Sequence, residues 1–376
     1  MADIALLLFD FEPPEKIPGF LPHSSSGGFP IWGEYCFLDI ALVNTSFPSI
    51  NKRYLFTRRE LSRLIIPHAA RWKDFEITFL ALETELTEFK ERLKGIHADR
   101  FILYSLGFVG YIETGSFEKL ADSTPTDKII KISINDIPVE LYISGKKKLL
   151  AAIENLKPAI NKKPFFTKSL FTEIFNPAVD KPVNLKGKVI FHNNILQLHR
   201  ANLMLLKHED IHELFSRLKS LSPLKEKETL ISQKGWVKNS VLSSGVRIDG
   251  YVENSVIFSG VHIREEASVI NSVVMNNNQI GERARVSNAI IFPGIDEGTT
   301  VLSIGEDVVI GGGSNVIKNK DFPQQIKDGL TVIGMHPSIP NNTVVEAGCF
   351  IGPDIPAGFY KGIPRIKKGT SLIGSP

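Results

Sequence analysis

The sequence predicts an α/β domain followed by a parallel β-helix. Three observations carry that prediction. Strand-like and helix-like segments alternate through the first part, as in a mostly parallel sheet covered on both faces. Glycine is unevenly spread: of 29 glycines, 19 fall in residues 235–376 and 10 before. In the second part, aliphatic residues recur every six positions inside units of roughly 17 residues, the mark of a three-sided β-helix.

The elements follow in order. Ile4–Phe9 is apolar, with no basic lead-in and no small-residue cleavage site, so it reads as a buried strand and not a signal peptide. Arg53–Thr57, Phe75–Leu82 and Arg100–Tyr104 are further strands, with helical stretches at Arg59–His68 and Glu83–Lys94. Asn194–Leu218 carries an apolar stripe of Leu203, Leu206, Ile211, Leu214 and Leu218, and reads as one or two helices closing the domain. The polar stretch from Leu221 to Glu228 looks like a linker. This divides the chain into an α/β domain at 1–220, a linker at 221–234 and a β-helix at 235–376.

In the second part Asn-Ser-Val begins at Asn239, Asn254 and Asn271, and a degenerate copy, Ser287-Asn288-Ala289, follows. The asparagines are 15, 17 and 17 residues apart. Inward aliphatics are expected at Val246 and Val252, at Ile263 and Val269, at Val274, Ile280 and Val286, and at Ile295 and Val301. Asparagine or glycine turns each corner, because those positions often need φ > 0. Stacked coils then make one column of Val and Ile. An antiparallel β-sandwich is the alternative, but sandwiches do not demand a six-residue period. Gly311-Gly312-Gly313, ahead of Asn319–Lys327, reads as an excursion from one coil.

Composition bounds the function. The 376 residues allow two or three domains, and 43% hydrophobic with 23% charged residues is ordinary globular composition. With 44 basic and 41 acidic residues, the net charge of +3 gives no electrostatic case for nucleic acid. Cys36 and Cys349 lie 313 positions apart, so a disulfide framework is not expected and a reducing compartment fits. Nothing approaches ~18 uninterrupted apolar residues, so no transmembrane helix is expected. The default is a soluble cytoplasmic protein.

One stretch is recognisable. Gly33-Glu34-Tyr35-Cys36-Phe37-Leu38-Asp39-Ile40-Ala41-Leu42-Val43-Asn44 resembles the Gly-Lys-Tyr-Arg-Leu-Ile-Asp-Phe-x-Leu-Ser-Asn motif of bacterial ADP-glucose pyrophosphorylases (glucose-1-phosphate adenylyltransferases). Asn51–Trp72 looks like that family's next strand and helix, and Ala201–Leu206 resembles its Ala-Asn-Leu-Asp-Leu-Leu helix. Tyr251–Ala289 and Gly329–Gly334 look like its hexapeptide coils. The resemblance implies a nucleotidyltransferase-like, Rossmann-like domain and a left-handed β-helix. Gly33, Tyr35, Asp39 and Asn44 are the residual family motif.

The family's reaction is attack by the phosphate of glucose 1-phosphate on the α-phosphorus of ATP, releasing pyrophosphate. It needs backbone N–H groups around the triphosphate, a cation and metal-holding carboxylates. Where the family has its glycine-rich loop, this chain has Asp10-Phe11-Glu12-Pro13-Pro14-Glu15, and proline has no N–H to offer. The family's lysine falls on Ser26, and the basic residue after its tyrosine falls on Cys36. Its metal aspartates fall on Leu106 (or Gly107) and on Phe191. No counterpart of the base-contacting Gly-Thr-Ala segment is present, and only 67 residues separate Asp39 from Leu106.

The resemblance therefore implies a degenerate site at Ser26, Leu106 and Phe191, with no catalytic residue and no cofactor. It is nearest to the family's non-catalytic, GlgD-type subunit, which Tyr54-Leu55-Phe56-Thr57 and Pro67–Thr78 also resemble. The leading expectation is a regulatory or structural partner in glycogen synthesis, pairing with a catalytic subunit or with itself, with a possible sugar-phosphate effector. The runner-up is an active adenylyltransferase with relocated ligands and Mg²⁺. A third reading is a stand-alone sugar-phosphate sensor.

Two other signals favour structural readings. His208-Glu209-Asp210-Ile211-His212 formally matches the zinc-protease pattern, with Glu226 or Glu228 as a third ligand, but it adjoins the expected linker. Lys146-Lys147-Lys148 reads as a solvated helix start, and Lys367-Lys368 is similar.

Overall fold

The computed structural model describes residues 3–11, 27–58, 66–82, 86–155, 168–175, 182–191, 194–207, 209–221, 227–295, 302–313 and 316–374. The first part runs β1 (Ile4–Phe9), β2 (Pro30–Ile31), β3 (Tyr35–Cys36), α1 (Phe37–Asn44), β4 (Ile50–Thr57), a 3₁₀ helix (Ile66–Phe75) and β5 (Ile77–Ala81). It continues through α2 (Leu86–Gly95), β6 (Arg100–Ser105), β7 (Phe108–Ile112), α3 (Thr114–Ser123), β8 (Ile129–Ile134), β9 (Ile137–Gly145) and α4 (Lys146–Glu154). It closes with α5 (Lys168–Phe175), β10 (Val183–Leu185), β11 (Gly187–Phe191), α6 (Ile195–Met204) and α7 (Glu209–Leu218). The helix expected at Arg59–His68 lies mostly outside the described residues, and its described end belongs to the 3₁₀ helix.

Seven strands form one sheet in the order β10-β8-β9-β6-β1-β4-β5. Six run in one direction, and β9 is antiparallel to both of its neighbours. The reversal comes from a tight hairpin: Asn135 and Asp136 take φ of 46° and 64°, as a two-residue turn with the twist of the strands requires. Every residue of β1 is buried, so alternate side chains must meet cover on opposite faces. Ile4, Leu6 and Leu8 join Leu38, Ala41 and Leu42 of α1 and Phe117 of α3. Ala5, Leu7 and Phe9 join Phe89 of α2, Leu149 of α4 and Phe171 of α5. The helix-covered α/β sheet is as expected. A separate antiparallel ribbon pairs β7 with β11.

The second part is a parallel β-helix. Two seven-stranded sheets and one four-stranded sheet are built wholly from parallel pairs of short strands, one strand per coil. Isolated bridges carry the third side on through Ile280, Ile304 and Ile339. Asn239, Asn254, Asn271 and Asn288 turn corners with φ between 44° and 49°, the left-handed conformation that favours asparagine after glycine. Val246, Val252, Ile263, Val269, Val274, Ile280 and Val286 all lie in the inner column. Together with the six-residue period, this geometry fits a left-handed β-helix of hexapeptide repeats.

Two expectations are corrected. Ile295 is 45% exposed and lies outside the column, and its expected partner Val301 lies outside the described residues. The coil ladder runs on to Gly294, whose N–H donates to the Asn276 carbonyl, and Ile304 takes the next inward place. The coils also begin earlier than 235: Leu230–Ile231, inside the stretch expected as a linker, already pairs with Arg247–Ile248.

The two parts share one core. Along one wall of the β-helix, Val256, Phe258, Val273, Met275, Ile290 and Phe292 point outward and pack on Leu198 and Ala201 of α6 and Leu214 and Leu218 of α7. Phe29, Ile31, Trp32 and Tyr35 join the same cluster. Trp32 donates from its backbone N–H to Asn202 Oδ1 (2.8 Å) and from Nε1 to the Ala201 carbonyl (3.0 Å).

Candidate functional site

In an open α/β sheet, ligands bind outside the carboxyl ends of the strands, where the strand order reverses. Here that point lies between β1 and β6, because the chain leaves β1 towards β4 and returns to β6 on the other side. Asp10 stands at the end of β1, and Ser105 and Leu106 stand at the end of β6.

These residues are engaged with the protein itself. Asp10 is fully buried; Oδ1 accepts the Gly27 N–H (2.8 Å) and Oδ2 accepts the Thr57 hydroxyl (2.9 Å). A buried carboxylate is tolerable when its oxygens are satisfied in this way. Leu106 is fully buried, and its Cδ1 lies so close to Gly27 that a β-carbon there would stand 2.7 Å away. Ser105 donates to Glu140 Oε2 (2.7 Å), and Lys168 Nζ lies 3.4 Å from the same oxygen. The end of β1 continues into an aromatic stack. Phe9 and Phe11 lie 5.9 Å apart and parallel, and Phe171 packs on both.

The two positions that the resemblance equates with metal aspartates are brought together, but as apolar groups. Leu106 is a member of the apolar cluster on the α1 face of the sheet, and Phe191 packs against that cluster. Phe191 pairs with Phe108, whose ring stacks on Tyr104 at 5.1 Å. Ser26 lies outside the described residues. Among the described residues, no group of three or more His, Cys, Asp or Glu could hold a metal ion. Of the HExxH pair, His208 lies outside the described residues, while His212 Nε2 donates to the Leu205 carbonyl (2.8 Å). Cys36 and Cys349 are both buried free thiols.

The residual motif is a scaffold at the domain junction. Gly33 takes φ of 96°, and a β-carbon there would stand 1.9 Å from Ser243 Oγ, so glycine is what lets this turn approach the first coils. Tyr35 lies under the Arg71 guanidinium, 4.9 Å from it, and edge-on to Phe215. Burial first, and then the Glu34 charge, push its hydroxyl pKa up to about 12. Asp39 is fully buried; Oδ2 accepts the Cys36 N–H (2.8 Å), closing the first turn of α1, and Oδ1 accepts Trp72 Nε1–H (2.7 Å). Arg71, itself buried, lies 3.5 Å from Asp39 and 3.2 Å from Glu34. Asn44 donates to the Gly110 carbonyl and accepts from the Ile112 N–H, tying α1 to β7.

Comparison with known proteins adds one finding. Residues 223–333 match a family model described as GlmU-like, C-terminal hexapeptide. The match begins within the stretch expected as a linker, in keeping with the early start of the coils. No curated protein matches the chain.

Sequence reasoning missed the shared core, although a signal was present. Val256-Ile257-Phe258, Val273-Val274-Met275 and Ile290-Ile291-Phe292 are unbroken apolar triplets. A coil strand open to water on its outer face would alternate. The middle residue of each triplet points into the column and the outer two point to the α/β part.

Proposed function

We propose that the protein is a non-catalytic homologue of glucose-1-phosphate adenylyltransferase. Its α/β part is a degenerate nucleotidyltransferase-like domain. It acts in the cytoplasm as a regulatory or structural partner in glycogen (ADP-glucose) synthesis. The observation that carries this reading is the end of β1 and β6: Asp10 is spent on Gly27 and Thr57, and Leu106 fills the space beside them. Phosphoryl transfer rests on positioning and charge stabilisation. A buried leucine and a phenylalanine at the two expected carboxylate positions supply neither. The hexapeptide match and the kept junction motif support a retained scaffold.

Two measurements test the proposal. The purified chain, incubated with ATP, glucose 1-phosphate and Mg²⁺, is expected to release no pyrophosphate above buffer. Tagged protein is expected to co-purify with a catalytic adenylyltransferase subunit and to change its kinetics. Turnover by the lone chain would instead establish the active-enzyme reading. A monomer without effect on such a subunit would sink the partner reading.

A further inference from the structure

The last coil closes one end of the β-helix, where Arg365–Ile366 and Ser371–Leu372 are the final strands of their two sheets. The inner column is complete there, because Ile355, Tyr360 and Ile366 are each 5% exposed or less. Yet Phe359, Ile363 and Ile373 stand 45%, 38% and 52% exposed around this end, so they are not an unfinished core. Phe359 lies in the 3₁₀ helix Ala357–Tyr360, and Ile363 lies in the turn after it, its N–H donating to the Tyr360 carbonyl (2.9 Å).

The same end is basic. Lys361 stands between Phe359 and Ile363, and Lys367 and Lys368 lie at the corner between the last two strands. The excursion after Gly311-Gly312-Gly313 brings Lys318 and Lys320 to that corner. The Lys320 N–H donates to the Gly369 carbonyl (2.8 Å), and a β-carbon on Gly369 would stand 2.7 Å from the Lys318 carbonyl. All five lysines are exposed, and among the described residues none of their ammonium groups has a hydrogen-bond or ion-pair partner. The carboxylates nearby are Glu346, which holds Arg365 and the Lys368 N–H, Asp354, which holds His336, and Asp321. The first coil, at the opposite end, also exposes Leu230, Ile231 and Trp236, but there Lys234 and Lys238 are paired with Glu265 and Glu253.

Free cations interleaved with exposed apolar groups select the partner. A second copy of the same end would set lysine against lysine, and like charges oppose that contact. Protein interfaces are also depleted of lysine. An anionic lipid surface accepts both kinds of group: ammonium heads stay among the phosphates while phenylalanine and isoleucine reach the acyl boundary. We propose that this end of the β-helix docks on membrane surfaces rich in anionic phospholipid, with Phe359, Ile363 and Ile373 inserted and the five lysines on the lipid phosphates. The α/β part packs on a side wall of the β-helix, through Val256, Phe258 and Val273, and the end stays exposed. The proposal does not rest on the adenylyltransferase reading.

The test is flotation of the full chain with vesicles of phosphatidylcholine alone or with about 30% phosphatidylserine, at about 0.1 M and 0.5 M salt. Binding is expected to the phosphatidylserine vesicles only, and to weaken at the higher salt. Lys367→Glu/Lys368→Glu should weaken it at least tenfold, since each lysine near such a surface is worth roughly a factor of five. Phe359→Ser/Ile363→Ser should weaken it at least threefold. These residues are exposed, so both variants should keep melting temperatures within about 2 °C of the parent. Lys147→Glu/Lys148→Glu, the same charge change on exposed residues of α4, should leave vesicle binding within about twofold of the parent. No flotation with phosphatidylserine, or equal flotation without it, would overturn the proposal. So would a loss with the α4 variant as large as with Lys367→Glu/Lys368→Glu, or no loss with Phe359→Ser/Ile363→Ser, which would mark a purely ionic surface. A lipid-free dimer that Phe359→Ser/Ile363→Ser dissolves would assign the face to a second copy instead.

Discussion

Replacing Asp39 tests whether the junction motif is scaffold. Its carboxylate is fully buried, accepts from two donors, the Cys36 N–H and Trp72 Nε1–H, and lies 3.5 Å from the Arg71 guanidinium as an ion pair. Asp39→Ala strands two buried N–H groups, each costing ~1–3 kcal/mol when unmade. It also leaves Arg71 with Glu34 as its remaining counter-charge, and breaking a buried pair costs ~3–5 kcal/mol. These terms overlap, so the expected total is about 3–5 kcal/mol. Asp39→Asn keeps one acceptor oxygen and the shape, and should cost about 2 kcal/mol. Arg71→Met in the Asp39→Ala background removes the stranded charge. The double variant should therefore be more stable than the sum of the single losses predicts, by about 1–3 kcal/mol. Urea unfolding followed by tryptophan fluorescence and by far-ultraviolet dichroism reads the parent, both Asp39 variants, Arg71→Met alone and the double variant. An Asp39→Ala loss below about 1 kcal/mol, or strict additivity with Arg71→Met, would refute the reasoning.

Further outcomes follow from the same structure. Phe258→Ala removes a buried ring from the shared core and should cost about 3–5 kcal/mol in urea unfolding, while the equally apolar but exposed Phe359 (45% exposed) should tolerate alanine within about 0.5 kcal/mol. Gly33→Ala places a β-carbon on Ser243 and strains a φ of 96°; a loss of about 1–3 kcal/mol is expected from the same measurement, with incomplete rescue by Ser243→Gly because the backbone strain remains. Burial holds the His199 pKa down at about 4 against an ordinary 6.5, so the folded protein keeps it neutral where the unfolded chain takes up a proton. Its share of the stability is full above pH 6.5 and is lost as pH falls towards 4, about 3 kcal/mol in all; His199→Leu should flatten the pH dependence of the unfolding midpoint in that window.

How much was legible depended on how local the signal was. Corner positions were readable because a left-handed φ selects asparagine and glycine one residue at a time, and Asn239, Asn254, Asn271 and Asn288 all turn corners. The inner column was readable because its period is set by the coil. It failed at Ile295, which is exposed while Ile304 takes the inward place beside Ile280, so the six-residue counting loses its register. The reversed strand β9 was missed because the hairpin at Asn135 and Asp136 lacks the usual glycine. In the site, Leu106 and Phe191, which the resemblance equates with metal aspartates, were legible as identities. Their meeting around one apolar cluster was not, because it depends on the pairing of β7 with β11 across a long stretch of chain. The structural role of Asp10 was not legible for a related reason. Its partners Gly27 and Thr57 lie 17 and 47 positions away.

The two buried aspartates of the α/β part follow one rule. Asp10 and Asp39 are both fully buried, and each holds backbone or side-chain donors that would otherwise be stranded. Losing either costs folding free energy whether or not any reaction is run. A carboxylate that only holds a metal has the opposite balance: without its ligand it is a desolvation cost, and an apolar group in its place stabilises the fold. Leu106 and Phe191, at the positions the resemblance assigns to metal aspartates, sit on that side of the balance, packed with the core cluster of the sheet. A chain kept for its shape and its surfaces would lose the second kind of charge and keep the first. That is the distribution found here, and it is the physical support for the proposal that the ends of β1 and β6 run no phosphoryl transfer.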